Sequence, residues 1–396
     1  MSIIERVGKK ERQYVEEVLS MNFRSSAGYK MTKRLEEAFV EKFDSKYAIA
    51  FCNGTATLHV ALEAAGVGMG DEVIVPPLTM SSTTFGVLHA NATPVFADVD
   101  PDTFVISADS IEKCITHRTK AIIVVSLYGL APDFDRINAI AKKHNLVVIE
   151  DDAQCFLGKY KGKTVGTLGD MASFSFQSSK HITSGEGGML ITTNLEYAER
   201  IRKYSCLGYA GVSTNKGKIS KTDIQEPDYS RHVSLGWNYR MSDVCSAVAL
   251  GQLEHIEELV EMRIKSAKLF AEAIRNSKIL IGQKEPEGYL NSYWAYTAKL
   301  VDDSIGWKRF RDKYLELGGD GIYAAWKLTY QEPFFKNMTF LRREELLNKD
   351  VNYSDGICPV AEYLQPRLLQ FKTNYFDFEI AKRKADVLAE TIKYFE

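Results

Sequence analysis

Phe174 to Gly188 reads FSFQSSKHITSGEGG, and the rest of the chain is arranged around it. The apolar alternation ending in Ser175 and Phe176 predicts a strand, Lys180 follows a few residues later, and Gly185, Gly187 and Gly188 make the next turn flexible. An amine held between a strand end and a glycine-rich turn is what an enzyme needs to hold an aldehyde as a Schiff base. A surface lysine in a loop fits this stretch equally well, so the surroundings decide.

Working outward toward the N-terminus, LVVIE at 146–150 predicts a buried strand that stops at Asp151 and Asp152, preceded by a helix over 133–144. Further strands are expected at 120–126, 94–97 and 72–75, with a helix over 81–90. Apolar strands alternating with helices predict a mainly parallel sheet covered on both faces, and such sheets bind ligands beyond the carboxyl ends of their strands. Asp151 and Asp152 sit at such an end. Either one caps a helix while the other is solvated, or one is buried where it keeps the ring nitrogen of an aldehyde cofactor protonated.

A shorter unit precedes these: an apolar run at 47–51, then Asn53, Gly54 and Thr55, then Leu58, Leu62 and Ala65 at helical spacing. The expected strand, turn and helix start offers free N–H groups, with the hydroxyls of Thr55 and Thr57, to an anion such as phosphate. A Thr-capped helix is the alternative. Gly66, Gly68 and Gly70 follow a helix and precede a strand, so they mark helix termination and not a dinucleotide fingerprint. At the N-terminus, 9–20 and 32–43 predict peripheral helices joined by a loop over 22–29.

The chain has 396 residues, enough for one large domain and a smaller one. Its 50 Lys+Arg against 52 Asp+Glu leave a formal charge of -2, which argues against a nucleic-acid or membrane-surface protein. Six cysteines are scattered without zinc-like spacing and read as reduced thiols. With no signal-like N-terminus and no run long enough to span a bilayer, a soluble cytoplasmic protein is expected.

Downstream, 208–232 is a polar insertion carrying Lys216, Lys218, Lys221 and Arg231, either a solvated loop or a set of cations reaching a nucleotide diphosphate. After Met241 one long amphipathic helix is expected, with Val244, Val248, Leu253, Ile256, Val260, Ala267 and Phe270 on its apolar face. A strand at 292–300, a helix over 307–317 and a final helix opened by Asp377 complete the chain. The aromatic stretch GIYAAWKLTYQEPFF at 321–335 lines a substrate entrance or packs in the core.

The run from 149 to 190, IEDDAQCFLGKYKGKTVGTLGDMASFSFQSSKHITSGEGGML, resembles the DegT/DnrJ/EryC1/StrS aminotransferases, as do 53–77 (NGTATLHVALEAAGVGMGDEVIVPP) and 234–254 (SLGWNYRMSDVCSAVALGQLE). The resemblance extends from about residue 28 to the C-terminal helix. It implies a fold-type I, pyridoxal 5'-phosphate-dependent α/β transferase: a mainly parallel seven-stranded sheet with helices on both faces in residues 1–245, and a smaller C-terminal α+β domain in 246–396. Lys180 would be the Schiff-base lysine and proton shuttle, and Asp151 the partner of the pyridine nitrogen. Gln154 would contact the ring hydroxyl, while Gly54, Thr55 and Ser175 would hold the phosphate. Asn238 matches the asparagine that reaches the phosphate from the neighbouring subunit, which implies a homodimer with a shared site.

The implied reaction moves an amino group from L-glutamate to a keto-sugar, foremost a nucleotide-linked keto-deoxysugar. A cyclitol or other acceptor without a nucleotide, dehydration of a sugar on the pyridoxamine form, and a non-catalytic regulator are the alternatives. Met80 stands where the family usually places an aromatic residue over the ring, and QFKTNYFDF at 370–378 replaces a common leucine-proline pair, suggesting a modified substrate edge. Dehydrating relatives carry histidine in place of the lysine; here Lys180 is kept and His181 is its neighbour, expected to point away from it. An ordinary lysine pKa of about 10.4 would leave Lys180 protonated, so a cationic cofactor environment and partial burial are required to lower it.

Overall fold

The computed structural model describes residues 4–21, 30–214, 222 and 225–396. Strands β1 (Tyr47–Phe51), β2 (Glu72–Val75), β3 (Thr93–Phe96), β4 (Thr119–Val125) and β5 (Val147–Asp151) lead to a small hairpin, β6 (Lys159–Tyr160) with β7 (Lys163–Thr164). Then come β8 (Met171–Ser175) and β9 (Gly188–Thr192), and seven of these strands form one sheet in the order β1-β9-β8-β5-β4-β2-β3. The neighbours from β8 to β3 pair parallel, while β9 runs antiparallel to both β1 and β8. Ala121 to Val125 of β4 are buried throughout, as strands with helices on both faces must be. Helices Gly54–Ala64 and Ser82–His89 pack on one apolar cluster of the sheet, Lys30–Phe43 and Asp243–Leu253 on a second, and Phe134–His144 on a third.

A four-stranded antiparallel sheet, β10 (Leu280–Gly282), β11 (Ala295–Leu300), β12 (Tyr323–Ala324) and β13 (Leu368–Lys372), follows in the order β10-β11-β13-β12. It has its own core, in which Phe270, Phe310, Tyr314 and Leu388 come from helices Ile256–Ile274, Trp307–Glu316 and Phe378–Phe395. Asp377 caps the last of these through the Glu379 N–H.

The single helix expected after Met241 is two helices. Asp243–Leu253 ends at Glu254, and Ile256–Ile274 starts anew after His255, whose φ of -129° and ψ of 27° leave the helical region. Glu257 and Glu258 in the first turn suit the positive end of that second helix. The first helix and the start of the second, through Ile256, Leu259 and Val260, join a core of the large sheet, while Ala267, Phe270 and Ile274 further along the second join that of the small one, so one apolar face serves two partners. Residues 370–378 form β13 and the turn into the last helix, with Phe371 and Tyr375 buried in the small core instead of at a substrate edge. The 22–29 loop, residue 28, Lys216, Lys218 and Lys221 lie outside the described residues; Arg231 is exposed.

Candidate active site

The ends of β5 and β8 and the start of the Gly54–Ala64 helix meet at a cavity of about 320 Å³. Gly54, Thr55, Met80, Asp151, Gln154, Ser175 and Lys180, all singled out in the sequence, line it. Asn238 does not; it is exposed, and its backbone bridges to Cys206. From the small sheet's side Trp294 and Trp326 close the cavity, their ring centroids 5.9 Å apart and their planes tilted by 32°.

At the helix start, Asn53 is the N-cap and not a threonine: its Oδ1 accepts from the Ala56 N–H at 2.8 Å. Thr57 is buried and donates to the Gly54 carbonyl at 2.6 Å, so its hydroxyl is turned away from the anion site expected of it. A Cβ at Gly54 would stand 2.9 Å from Ser175 Cβ, closer than carbon atoms tolerate. Glycine there lets the helix start and the end of β8 share one concave surface, with first-turn N–H groups and the Ser175 hydroxyl beside it.

Asp151 and Asp152 are both buried, which corrects the alternative of a cap and a solvated carboxylate. Successive side chains at a strand end point to opposite sides. Asp151 faces the cavity, where its Oδ2 accepts from Thr83 Oγ1 at 2.8 Å and its Oδ1 from the Ala153 N–H at 3.3 Å. Burial raises its pKa, and the Thr83 hydrogen bond and the charge of Lys180 pull it back. Asp152 accepts from Ser126 Oγ at 2.7 Å, and burial beside Glu150 pushes it well above the ordinary carboxylate range. Glu150 in turn takes the N–H groups of Gly166, Leu168 and Gly169.

Gln154 is oriented by a backbone that has no other choice. Tyr128, fully buried with φ at 62°, presents its N–H to Gln154 Oε1 at 2.9 Å, which leaves the amide nitrogen as the donor group.

The Lys180 amine is pushed down to about 8, first by burial and then by the charge of Arg263, against the opposing pull of Asp151. Burial is as expected, while the cation beside the amine is Arg263, which the sequence reading did not single out. Its Nζ lies 5.3 Å from the centre of the Trp294 ring. His181 points elsewhere: its Nε2–H donates to the Ser292 carbonyl at 2.9 Å, and burial drives its pKa well below the usual histidine value.

Sequence reasoning missed Thr83, Trp294 and Arg263. It singled out 321–335 without choosing among the aromatics; Trp326 lines the cavity, while Tyr330 and Phe335 are core. Among the described residues no cluster of His, Cys, Asp or Glu is arranged to hold a metal ion, and no helix is long and apolar enough to cross a membrane.

A buried carboxylate and a half-buried lysine of lowered pKa, facing each other at the carboxyl edge of a mainly parallel seven-stranded sheet, define a fold-type I pyridoxal phosphate-dependent transferase. The chain belongs to the DegT/DnrJ/EryC1/StrS aminotransferase family, whose profile matches residues 5–366, and is a pyridoxal phosphate-dependent aminotransferase. It is 39% identical over 285 residues to the GDP-perosamine synthase of Escherichia coli O157:H7, covering 72% of this chain and 73% of that one. To the L-glutamine:2-deoxy-scyllo-inosose aminotransferase of Micromonospora echinospora it is 35% identical over 337 residues, covering 83% and 78%. The X-ray structure of an aminotransferase from Psychrobacter cryohalolentis superposes with a TM-score of 0.85 at 28% identity, covering 98% of this chain and 97% of the other.

Proposed function

We propose that this aminotransferase carries an amino group from L-glutamate to the ketone of a nucleotide-linked keto-deoxysugar. The observation that carries the reading is the convergence of Lys180, Asp151 and the Gly54 cradle on one cavity walled by two tryptophans. The chemistry of pyridoxal phosphate fits these groups: an amine for its aldehyde, a buried carboxylate for its ring nitrogen, and a helix start with Ser175 for its phosphate. Met80 would pack on the ring through its sulfur, and the Gln154 amide would donate to the ring oxygen. When bound, the cofactor supplies the aldehyde that takes up the amino group and the ring that spreads the electron pair left by the departing proton.

At pH 7 a pKa of about 8 leaves about a tenth of Lys180 neutral. Its Nζ can therefore take the proton from the amino-bearing carbon of the donor and return it, tethered where no diffusing base need be recruited. Trp294 and Trp326 give the cavity the flat apolar surfaces against which a sugar ring or a base lies. The Escherichia coli relative, named for a GDP-linked aminosugar, supports the nucleotide-linked acceptor.

Asn238, exposed and outside the cavity of its own chain, supports a homodimer in which it completes the partner's phosphate site. The same reading puts the protein in the cytoplasm and assigns residues 1–245 to the cofactor domain and 246–396 to the smaller one. A second reading, a cyclitol acceptor with glutamine as donor, is favoured by the name of the Micromonospora relative. Retention of Lys180 speaks against dehydration.

The deciding experiment follows the absorption of the protein with pyridoxal phosphate, before and after L-glutamate, beside Lys180→Ala. Conversion to the pyridoxamine form in the wild type alone, followed by mass-spectrometric detection of an aminated nucleotide sugar from a keto-sugar panel, is the expected result. Conversion by L-glutamine only, with product from 2-deoxy-scyllo-inosose and none from the nucleotide sugars, selects the second reading. No conversion by either donor refutes both.

A further inference from the structure

Behind the cavity the carbonyl groups of Ser178, Ser179 and Lys180 receive hydrogen bonds from side chains far away in sequence. Arg263, in the Ile256–Ile274 helix and 2% exposed, donates through Nη2 to the carbonyls of Ser179 at 3.0 Å and Lys180 at 3.1 Å. Through Nη1 it donates to the Trp294 carbonyl at 2.8 Å and Thr373 Oγ1 at 3.2 Å. Arg6, half-buried in the N-terminal segment, donates to the Ser178 carbonyl and to that of Lys180 at 3.3 Å. The Trp294 indole N–H closes the set on the Ser179 carbonyl at 3.1 Å.

Among the described residues Arg263 forms no ion pair; its partners are neutral oxygens. Burying a guanidinium without a carboxylate is a poor way to hold two domains together, because apolar packing does so without the desolvation cost. What the arginine adds is a planar fork that grips several carbonyls at once and a positive charge behind an amine, its own pKa pulled down to about 9 by burial and the charge of Arg6.

We propose that Arg263, assisted by Arg6, is the positioning residue for Lys180: it clamps the 178–180 backbone to the Trp294 wall, so the small sheet's side of the molecule aims the lysine. The proposal rests on Lys180 being the residue that carries the cofactor. The charged and titratable groups around its amine are Asp151 from β5, Arg263 from the helix behind, Arg6 from the N-terminal segment, His181 beside it and Glu186 across the cavity. Of these, Asp151 holds the proton on the amine, and Arg263 drives it off.

The test uses the apoprotein first. Carbamylation of Lys180 by cyanate, read by peptide mass spectrometry across pH, reports the free amine without any cofactor. In Arg263→Met the midpoint is expected to rise by about one pH unit, and Arg6→Met, which loses the hydrogen bonds to the Ser178 and Lys180 carbonyls, is expected to slow the glutamate half-reaction per bound cofactor. Arg263→Lys loses the fork and, buried without a carboxylate, favours its neutral amine, so it should also raise the midpoint and should slow the glutamate half-reaction per bound cofactor by about 10- to 100-fold, with KM for glutamate little changed.

Arg6→Met, at the edge of the molecule, keeps the test decisive if Arg263→Met does not fold. Midpoints that stay at the wild-type pH in the Arg263 variants, or wild-type rates per bound cofactor in Arg263→Lys and Arg6→Met, overturn the clamp. Borohydride trapping of the cofactor on a lysine other than Lys180 refutes the assignment of Lys180, and the carbamylation profiles still judge the clamp by themselves.

Discussion

Replacing Lys180 by methionine should stabilise the apoprotein near neutral pH and lose that advantage as pH rises. In the unfolded chain the amine has the ordinary lysine value of 10.5, and in the folded one it is pushed down to about 8. Between those values the unfolded state binds more protons, so wild-type stability rises with pH across that window. Below 8 both states are protonated and the penalty is complete. The difference of 10.5 − 8, or 2.5 units, corresponds to about 3.4 kcal/mol at 1.36 kcal/mol per unit. Lys180 keeps a partly exposed side, so screening by water reduces this to about 2 kcal/mol. Urea unfolding of both apoproteins, followed by circular dichroism from neutral pH to 10.5, measures it. Tyrosines and other groups titrate in both proteins and cancel in the difference. The advantage of Lys180→Met over wild type should shrink by about 2 kcal/mol across the window, whatever pH-independent change in packing methionine brings. Curves that stay parallel would refute the reasoning, because they would mean that folding leaves the amine unperturbed.

Asp151→Asn keeps the shape and can still accept from Thr83, but removes the one carboxylate that faces the cavity at the end of β5; the glutamate half-reaction should fall by about 100-fold with the cofactor still bound, measured by stopped-flow absorbance. Gly54→Ala pushes a methyl group to 2.9 Å from Ser175 Cβ, a strain of about 1–3 kcal/mol. Apoprotein stability in urea should drop by that amount and be partly restored by adding Ser175→Gly, while affinity in a titration with pyridoxal phosphate should fall by about tenfold per 1.4 kcal/mol in Gly54→Ala and stay low in the double variant, which lacks the Ser175 hydroxyl.

The large sheet was legible because its strands are apolar on both faces and its helices carry their own punctuation: 47–51, 72–75 and 146–150 stand within a residue or two of the observed strands. Residues near in sequence to those strand ends, Gly54, Asp151, Ser175 and Lys180, were legible for the same reason, since the carboxyl edge of a parallel sheet gathers them. Periodicity assigns a face and not a partner. It merged two helices at His255, because the apolar stripe continues from Val244 to Phe270 across the break and the same core lies behind both sides of it. It passed over β9, because Gly188 to Thr192 is short and follows directly on the glycine turn. Trp294, Trp326 and Arg263 lie 83 to 146 positions beyond Lys180 in the numbering, and no local pattern marks a residue whose importance is a carbonyl or a cavity wall elsewhere in the fold.

What those distant residues contribute is electrostatic balance. Two groups alone, Asp151 and Lys180, would settle as an ion pair: each charge favours the other, the amine stays protonated, and the carboxylate is used up on it. On the proposed reading Lys180 is a base that must give up its proton and Asp151 a carboxylate that must keep its charge for the ring nitrogen, and neither can be left to that arrangement. Burial acts on both in the unwanted direction for Asp151 and the wanted one for Lys180. Thr83 corrects the first by hydrogen-bonding the ionised carboxylate, and Arg263 reinforces the second by placing a positive charge behind the amine. Neither correction lies next to the group it serves in sequence, and each comes from a different element, the Ser82–His89 helix and the Ile256–Ile274 helix. The lysine and the aspartate supply the reactive groups, while the fold decides which of them holds a charge.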